Sequence, residues 1–226
     1  MSRGDTAEIV AAVSALLPEE CLQAAGSALL VPLAAGVGEA GPLAVRCVGL
    51  LRERYWDGDA ELAAELDVAL GRGAGASLRP VPVDLEELAD VLSGSLGDEP
   101  GVLDLETGQV WPAVALEYAR EHDDRSAPAE PDGLRAVAVW PDGSEEPYRD
   151  MRDFIGRVDD PVLAERLSRA IEGKGAFGRF RDTIDRSPDA LTRWQAFSDD
   201  RRIGRARSWL ADAGLRPAER SVRVDE

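Results

Sequence analysis

The sequence predicts an α+β fold: a small all-helical N-terminal domain, then a domain with a small antiparallel β-sheet and a C-terminal helical bundle. Residues 1–75 carry apolar residues at helical spacing, and so does the chain from about residue 146 onwards. Between them, two short β-prone runs flank Gly108, as in a hairpin. Apolar residues make up 44% of the 226-residue chain and charged residues 31%, a composition typical of an ordered globular protein.

The N-terminal domain is predicted to contain four helical segments. Asp5 and Glu8 form a capping signal before the first. Later apolar stripes lie within Leu43–Trp56 and Ala60–Leu70, and the glycine-rich residues 71–77 indicate a linker. We therefore predict a helical domain over residues 1–75, an α+β domain over 81–216 and a loose tail over 217–226.

The second domain is predicted to alternate short strands with capped helices before it becomes wholly helical. Asp84 with Glu87 is a capping signal, and Asp160-Pro161 and Ser187-Pro188 are helix starts. The elements in order are an extended entry at 80–83, a helix ending at Gly94, a hairpin over 102–111, a short helix over 115–121, a strand over 134–140, and helices to Gly214.

Acidic residues are concentrated in the middle of the chain. The formal net charge is −17, but residues 81–165 alone carry −16, whereas residues 166–226 carry +4. Such a chain repels nucleic acid and anionic membranes unless its basic residues are segregated. We expect the basic C-terminal part to fold against the acidic middle; an anion-binding C-terminal face is the alternative.

Nothing in the sequence indicates secretion or membrane insertion. Residues 1–5 lack the basic region that opens a signal peptide, so we expect none. The uncharged stretch 21–38 contains Pro32 and three glycines, which favours a buried helix over a membrane span. Cys21 and Cys47 lie in apolar surroundings typical of buried free thiols, with a disulfide as the alternative. We expect a cytoplasmic protein.

The only lysine, Lys174, lies between Gly173 and Gly175, where a helix is predicted to begin. Unpaired backbone amides at a helix start attract anions, and Arg179 and Arg181 would add positive charge. The segment lacks the spacing of a Walker A loop. We favour a helix corner in which Lys174 pairs with a carboxylate from the acidic middle. A hypothetical anion or partner site at these five residues is the alternative.

Short motifs follow one another in a fixed order along the second domain. They are Asp84–Leu88 (DLEEL), Leu103–Gly108 (LDLETG), Tyr148–Ile155 (YRDMRDFI) and Gly173–Asp182 (GKGAFGRFRD), then Trp194 and Trp209-Leu210. In this order they resemble a bacterial family known as uncharacterised protein family 158, over residues 81–214. The family pattern favours lysine where this chain has Arg181. The resemblance implies no activity, cofactor or catalytic residue, because the family has none established.

The residue types that catalysis usually requires are scarce. His122 is the only histidine and lies in a polar run, not in a setting that would orient a catalytic base. One histidine and two cysteines argue against structural zinc. Asp104 and Glu106 would share one face of a strand; we favour an exposed hairpin face, with a carboxylate site for Mg²⁺ or Ca²⁺ as the alternative. We assign no catalytic residue, metal ligand or cofactor.

Arginines and tryptophans of the second domain each have two interpretations. Four arginines within residues 201–207 favour a solvated helix face, bridged to nearby aspartates, over a nucleic-acid surface. Trp194 and Trp209 have the spacing of core residues. Trp111 and Trp140 end strands beside prolines and are predicted to be half exposed, which suits protein interfaces.

Together these observations favour a non-enzymatic protein-binding or regulatory module that contacts another protein through its acidic middle. Binding of phosphate, nucleotide or RNA at Gly173–Asp182 is one alternative, and a carboxylate-metal-dependent enzyme is another. We expect a protein partner, no membrane, and nucleic acid only under the second interpretation.

Overall fold

The computed structural model describes residues 11, 13, 21–73, 75, 77–122, 124, 126–128, 130–131 and 133–218. The predicted α+β class is confirmed: a group of three N-terminal helices, a small antiparallel sheet and a set of C-terminal helices. The capping signal at Asp5 and Glu8, and the predicted tail beyond residue 218, lie outside the described residues. Within the described part, no helix combines the length and hydrophobicity of a membrane span.

The N-terminal helices pack around a core of leucine and alanine. They are α1 Leu22–Ala34, α2 Ala40–Arg54 and α3 Asp59–Ala69. Gly26 lets α1 approach α3 closely, since a β-carbon there would lie 2.7 Å from Leu62 Cδ2. Cys47 is a buried free thiol in this core, and Cys21 is a half-buried one. Neither cysteine forms a disulfide, as expected, and the predicted burial is confirmed for Cys47 but not for Cys21.

The second part alternates short strands and helices. Its strands are β1 Arg79–Val81, β2 Gly101–Asp104, β3 Val110–Trp111, β4 Ala136–Val139 and β5 Leu215–Pro217. Its helices are α4 Leu85–Leu92, α5 Ala113–Glu121, α6 Glu145–Ile155, α7 Pro161–Ala170, α8 Ala176–Ile184 and α9 Pro188–Asp212.

The predicted hairpin, β2 with β3, is part of a three-stranded antiparallel sheet in which β2 is the central strand, in the order β3-β2-β4. Val102 pairs with Trp111 on one side and with Ala138 on the other. Asp104 closes the turn, because its Oδ1 accepts the backbone amides of Glu106 and Thr107 at 2.8 and 2.9 Å. Glu106 therefore lies in the turn and not on the strand, so the predicted shared strand face of Asp104 and Glu106 is wrong.

Strand alternation divides this sheet between two cores. Leu103, Val110 and Val139 face α4 and α9, whereas Val102 and Trp111 face α5. Trp111 is buried at 8% exposure, so the prediction that it would be half exposed is wrong. Helices thus cover both faces of the sheet. Strand β4 lies at its edge, with β2 as its only strand partner among the described residues.

A second, two-stranded sheet is parallel and was not predicted. β1 pairs with β5, so that Arg79 lies opposite Leu215 and Val81 opposite Pro217. The predicted end of the last helix at Gly214 is confirmed, but no strand was predicted at residues 215–217. These residues leave α9 through Gly214, whose φ of 75° is readily adopted only by glycine.

The C-terminal helices enclose an aromatic core and begin at the predicted caps. Asp160 accepts the backbone amide of Val162 at 2.9 Å, with Pro161 in the first turn of α7. Trp194 packs edge to face against Phe154 and Phe180, with ring centroids 5.3 and 4.8 Å apart. Trp194 is partly buried and packs against this core, in agreement with its predicted spacing.

Helix α9 connects the two parts. With 25 residues it is the longest described helix, and it contacts α1 and α3 as well as α4, α6 and α8. Gly204 lies in its middle, directly against the turn that precedes α3. The predicted domain boundary at residues 75–81 stays a prediction.

Candidate functional site

The segment around Lys174 forms a tight turn between α7 and α8. Gly173 and Gly175 have φ values of 73° and 77°, the left-handed region that favours glycine. Gly175 then caps α8, which begins at Ala176. Lys174 itself is exposed, and the two glycines thus hold the only lysine at the outside of a helix corner.

Arg179 folds back over this turn. Its guanidinium donates to the carbonyl oxygens of Ala170, at 3.0 Å, of Glu172, at 2.5 Å, and of Lys174. One of these acceptors is Ala170, the last residue of α7, whose carbonyl has no hydrogen-bond donor within its own helix. Arg179 therefore stabilises the corner, while Arg181 stays exposed on α8.

A shallow groove of about 450 Å³ lies between this corner and α6. Arg149 and Arg152 line its α6 side, and Gly173, Gly175 and Phe177 line the other. We call it the corner groove. Its residues come from two of the motifs that resemble the family, Tyr148–Ile155 and Gly173–Asp182.

The favoured pairing of Lys174 with a carboxylate is not found among the described residues, in which no carboxylate oxygen lies within 4 Å of its ammonium. Across the groove, Arg149 pairs with Glu146 at 2.6 Å, on the surface. Arg149 and Arg152 line the groove together with Glu145, and the exposed Lys174 lies on the corner beside it, with no carboxylate bound to its ammonium among the described residues.

Other candidates from the sequence lie apart from this groove. His122 stacks on Tyr118 at a ring-centroid distance of 4.0 Å and is exposed, which agrees with the predicted polar setting. Over the described ranges, no group of three or more His, Cys, Asp and Glu side chains is placed to hold a metal ion. The carboxylate-metal hypothesis therefore has no candidate ligand set in those ranges.

A buried ion-pair network joins α9 to the N-terminal helices; we call it the Arg54 network. Arg54 binds Asp59 in a bidentate manner, at 2.6 and 2.9 Å, and its Nη1 lies 2.6 Å from Asp200 Oδ2. Gln23 donates to both carboxylates, from its backbone amide to Asp200 at 2.7 Å and from its side chain to Asp59 at 2.9 Å. The charged side chains are at most 5% exposed.

The indole of Trp56 covers this network. The guanidinium carbons of Arg54, Arg157 and Arg201 lie 4.0, 4.8 and 5.0 Å from its ring centroid. Cations over an indole face are attracted by its quadrupole, more strongly where water is excluded. Trp56 also packs edge to face against Phe197 of α9, at 5.2 Å. One aromatic ring thus contacts charges from both parts of the chain.

Arg201 and Arg207 of α9 are buried pairing groups, so the predicted solvated face is wrong for these two, whereas the partly exposed Arg202 bridges to Asp199 at 3.3 Å, as predicted. Arg201 is 8% exposed and Arg207 is 2% exposed. Asp150 binds Arg201 and Arg205, each at 2.9 Å, and Arg202 pairs with Asp90. Since Asp90 and Asp150 belong to residues 81–165, the basic C-terminal part does fold against the acidic middle, as expected.

Burial controls the titration of groups in and around this network. It raises the pKa of Asp200 to about 6, because the loss of solvation outweighs the attraction of Arg54. Burial likewise raises the pKa of the Cys47 thiol to about 12 and raises the pKa of Glu65. The pKa of Arg54 is raised by its two carboxylate partners despite its burial.

Sequence reasoning missed the Arg54 network because its members lie up to 177 residues apart, as Gln23 and Asp200 do. One signal was available, namely Gly204 inside a long helical pattern. A glycine there costs about 1 kcal/mol relative to alanine and commonly marks close backbone packing.

Four exposed apolar residues of the acidic middle, on α5 and at the two ends of β4, mark another candidate surface. Val114 and Tyr118 lie one helical turn apart on α5, at 62% and 63% exposure, and Leu134 and Trp140 flank β4 at 75% and 65%. Strand alternation puts Trp140 on the α5 side of the sheet, since Ala136 faces α5. We call these four residues the α5–β4 surface. The predicted exposure of Trp140 is confirmed.

The sequence profile of the Uncharacterised protein family (UPF0158) matches residues 78–224, which is more than half of the chain. This chain belongs to that family. It is 28% identical over 146 residues to the UPF0158 protein PA5073 of Pseudomonas aeruginosa, an alignment that covers 63% of this chain and 90% of that protein. No solved structure matches the chain.

The UPF0158 match includes all five strands, the corner groove, the α5–β4 surface and α9. It begins after α3, so the three N-terminal helices lie outside it. The Arg54 network therefore joins the family part, through Asp200, to helices that precede it.

Proposed function

We propose that this UPF0158 protein is a protein-binding module, and that its partner presents a basic segment to the α5–β4 surface. The observation that carries this proposal is the 65% exposure of Trp140 at the end of an edge strand. Tryptophan and tyrosine are enriched in protein interfaces, where they supply much of the binding energy. Apolar residues exposed in a group commonly mark such contact sites.

Charge supports a basic partner. Residues 81–165, to which the whole α5–β4 surface belongs, carry a net charge of −16. Glu117 and Glu121 are exposed on α5 beside Tyr118, and their carboxylates have no ion pair among the described residues. A field of this sign accelerates association with a basic partner and repels nucleic acid.

The test is affinity capture with the full-length protein, followed by a binding titration with each captured protein. We expect a partner that binds wild type, is lost with Trp140→Ala, and binds more weakly as salt rises. Tyr55→Ala is the matched control, because Tyr55 is an exposed aromatic at 81% outside both this surface and the corner groove. A partner that binds Trp140→Ala and wild type equally would contradict the proposal.

A second candidate function is the binding of phosphate groups, in a nucleotide or RNA, at the corner groove. It is favoured by the exposed Lys174, which lacks an ion pair among the described residues, and by Arg149 and Arg152 across the groove. Ala176 and Phe177, the first two residues of α8, line the groove, and amides at a helix start favour anions.

Titration of ATP and of a short RNA at low and moderate salt tests this second candidate. Binding should weaken with Lys174→Ala and with added salt, and persist with Arg166→Ala, an exposed arginine on α7 away from the groove. Absence of binding, or binding unaffected by Lys174→Ala, would exclude the corner groove as the phosphate site.

A further inference from the structure

A cavity of about 660 Å³ lies where the N-terminal helices meet the family part. Ala60, Ala64 and Val68, at spacings of one helical turn along α3, form one wall. Ala211 of α9 and Leu215 of β5 form the opposite wall. The volume is in the range of about 300–1,000 Å³ that is typical of small-molecule sites, and the walls are mostly apolar, as such sites are. We call this space the α3–α9 cavity.

A buried arginine lines the apolar cavity. Arg207 is 2% exposed, and its guanidinium donates to Gln23 Oε1 at 3.0 Å, to Glu65 Oε2 at 2.7 Å and to Ser27 Oγ at 2.7 Å. A guanidinium has five N–H donors. Each of the three guanidinium nitrogens thus donates one hydrogen bond, and the second N–H of Nη1 and the second N–H of Nη2 have no acceptor among the described residues.

Unsatisfied buried donors are rare in folded proteins, because each one loses its hydrogen bonds to water without replacement. Arg207 borders the α3–α9 cavity, so an acceptor held in the cavity would satisfy those donors. The cavity thus presents two features of a ligand site together, mostly apolar walls and a buried hydrogen-bond donor.

The charges around the cavity limit the kind of ligand. Arg207 is offset by Glu65, and Glu61 and Arg216 also line the cavity, so the four charges balance. Burial raises the pKa of Glu65, which indicates that this corner is poorly hydrated. A polyanion such as a nucleotide would meet two carboxylates, whereas a single acceptor group on an apolar body would not be opposed by net charge.

We propose that the α3–α9 cavity binds a small apolar molecule that ends in a carbonyl or carboxylate group, whose oxygen accepts hydrogen bonds from Arg207. The ligand contacts α3 from the N-terminal helices together with α9 and β5 from the family part. It therefore stabilises the contact between the two parts of the chain.

Calorimetric titration of the full-length protein tests this, with octanoate, octanamide and octylamine as probes of equal chain length. Octanoate and octanamide separate a carboxylate from a neutral carbonyl, and octylamine has no acceptor suited to a cation. We expect one or both of the first two to bind at least about tenfold more tightly than octylamine, the effect of one hydrogen bond to a charged group. Equal affinity for octylamine, or no binding of either acceptor probe, would overturn the proposal.

Two matched variants locate the binding. Val68→Trp should fill the cavity and abolish binding, because Val68 is exposed at 43% on the cavity wall. Val162→Trp, at an exposed valine of α7 that lies outside the cavity and outside the α5–β4 surface, should leave the affinity of the bound probe unchanged. Circular dichroism would verify that both variants are folded. Binding that survives Val68→Trp would overturn the assignment to this cavity.

Discussion

Gly58 packs its backbone directly against the backbone of Gly204. A β-carbon on Gly58 would lie 2.3 Å from the Gly204 carbonyl oxygen, and one on Gly204 would lie 2.2 Å from the Asp57 carbonyl oxygen. These distances are far below van der Waals contact, so neither position accepts a side chain without moving the backbone. The N-terminal helices and α9 are thus in contact where only two glycines fit.

We expect Gly204→Ala to lower the free energy of unfolding by about 3 kcal/mol, the upper range for overpacking, because the obstacle is backbone. Gly178→Ala is the control, since Gly178 is helical, exposed and has open space around it. Gly178→Ala should raise the free energy of unfolding by about 0.5–1 kcal/mol, because alanine has the higher helix propensity. Urea unfolding measures both. Similar effects of the two substitutions would contradict the close contact.

Arg207→Met should destabilise the protein by about 3–5 kcal/mol, because it leaves Glu65 without its cation in a poorly hydrated site. Arg169→Met is the control, since Arg169 pairs with Glu165 on the surface, where both side chains are more than 60% exposed. For Arg169→Met we expect the free energy of unfolding to change by no more than about 0.5 kcal/mol.

Adding Glu65→Leu to Arg207→Met should recover part of the lost stability, because no unpaired carboxylate then remains. Chemical denaturation of the two single variants and the double variant measures this coupling. Strictly additive losses would show that the two side chains do not stabilise each other.

Asp200 should make stability fall as pH rises from about 4 to about 6. Its pKa is raised to about 6 in the folded chain, so over this window the folded state binds more protons than the unfolded state. This contribution is therefore fully present below the ordinary aspartate pKa and is lost above about pH 6. The total is on the order of 2–3 kcal/mol, by the conversion of about 1.4 kcal/mol per pKa unit.

Unfolding free energies of wild type and Asp200→Asn, measured from pH 4 to 8, isolate this contribution. The unfolding free energy of wild type minus that of the variant should fall from about pH 4 to about pH 6 and then stay constant. A difference that rises with pH would mean that Arg54 lowers the pKa of Asp200 instead.

Cys47 should react with a thiol reagent only as fast as the protein opens. Burial raises its pKa to about 12, so almost no thiolate exists at neutral pH, and the side chain is fully buried. Cys21 is half-buried and should react sooner. Labelling of Cys21→Ser and Cys47→Ser variants distinguishes the two rates. Rapid labelling of Cys47 in native conditions would contradict its burial.

Local chemistry made much of the fold predictable. Asp84 and Asp160 indicate helix starts because a short side chain there accepts a hydrogen bond from a backbone amide of the first turn. Donor and acceptor are only two residues apart in the sequence. Gly108, between two apolar runs, indicates the hairpin because glycine readily adopts the positive φ that the turn requires. These interactions are encoded within a few positions, and the structure contains all three.

Long-range pairing was not predictable in the same way. Residues 215–217 form a strand only because β1, more than 130 positions earlier, supplies its partner. Arg201 and Arg207 have the sequence pattern of a solvated helix face, since periodicity cannot distinguish a charge in water from one paired to Asp150 or Glu65. The candidate cavity depends on such contacts and has no sequence signature.

The parallel pairing of β1 with β5 places Leu78, the first residue of the UPF0158 match, about one short strand's length from Ala218, the last described residue. The distance between them is roughly 10–15 Å. A linker of a few residues would therefore suffice to join Ala218 to Leu78 in a circular permutant that is opened at Pro141-Asp142-Gly143. Because the three N-terminal helices precede β1, such a permutant would lack them, and with them the Arg54 network.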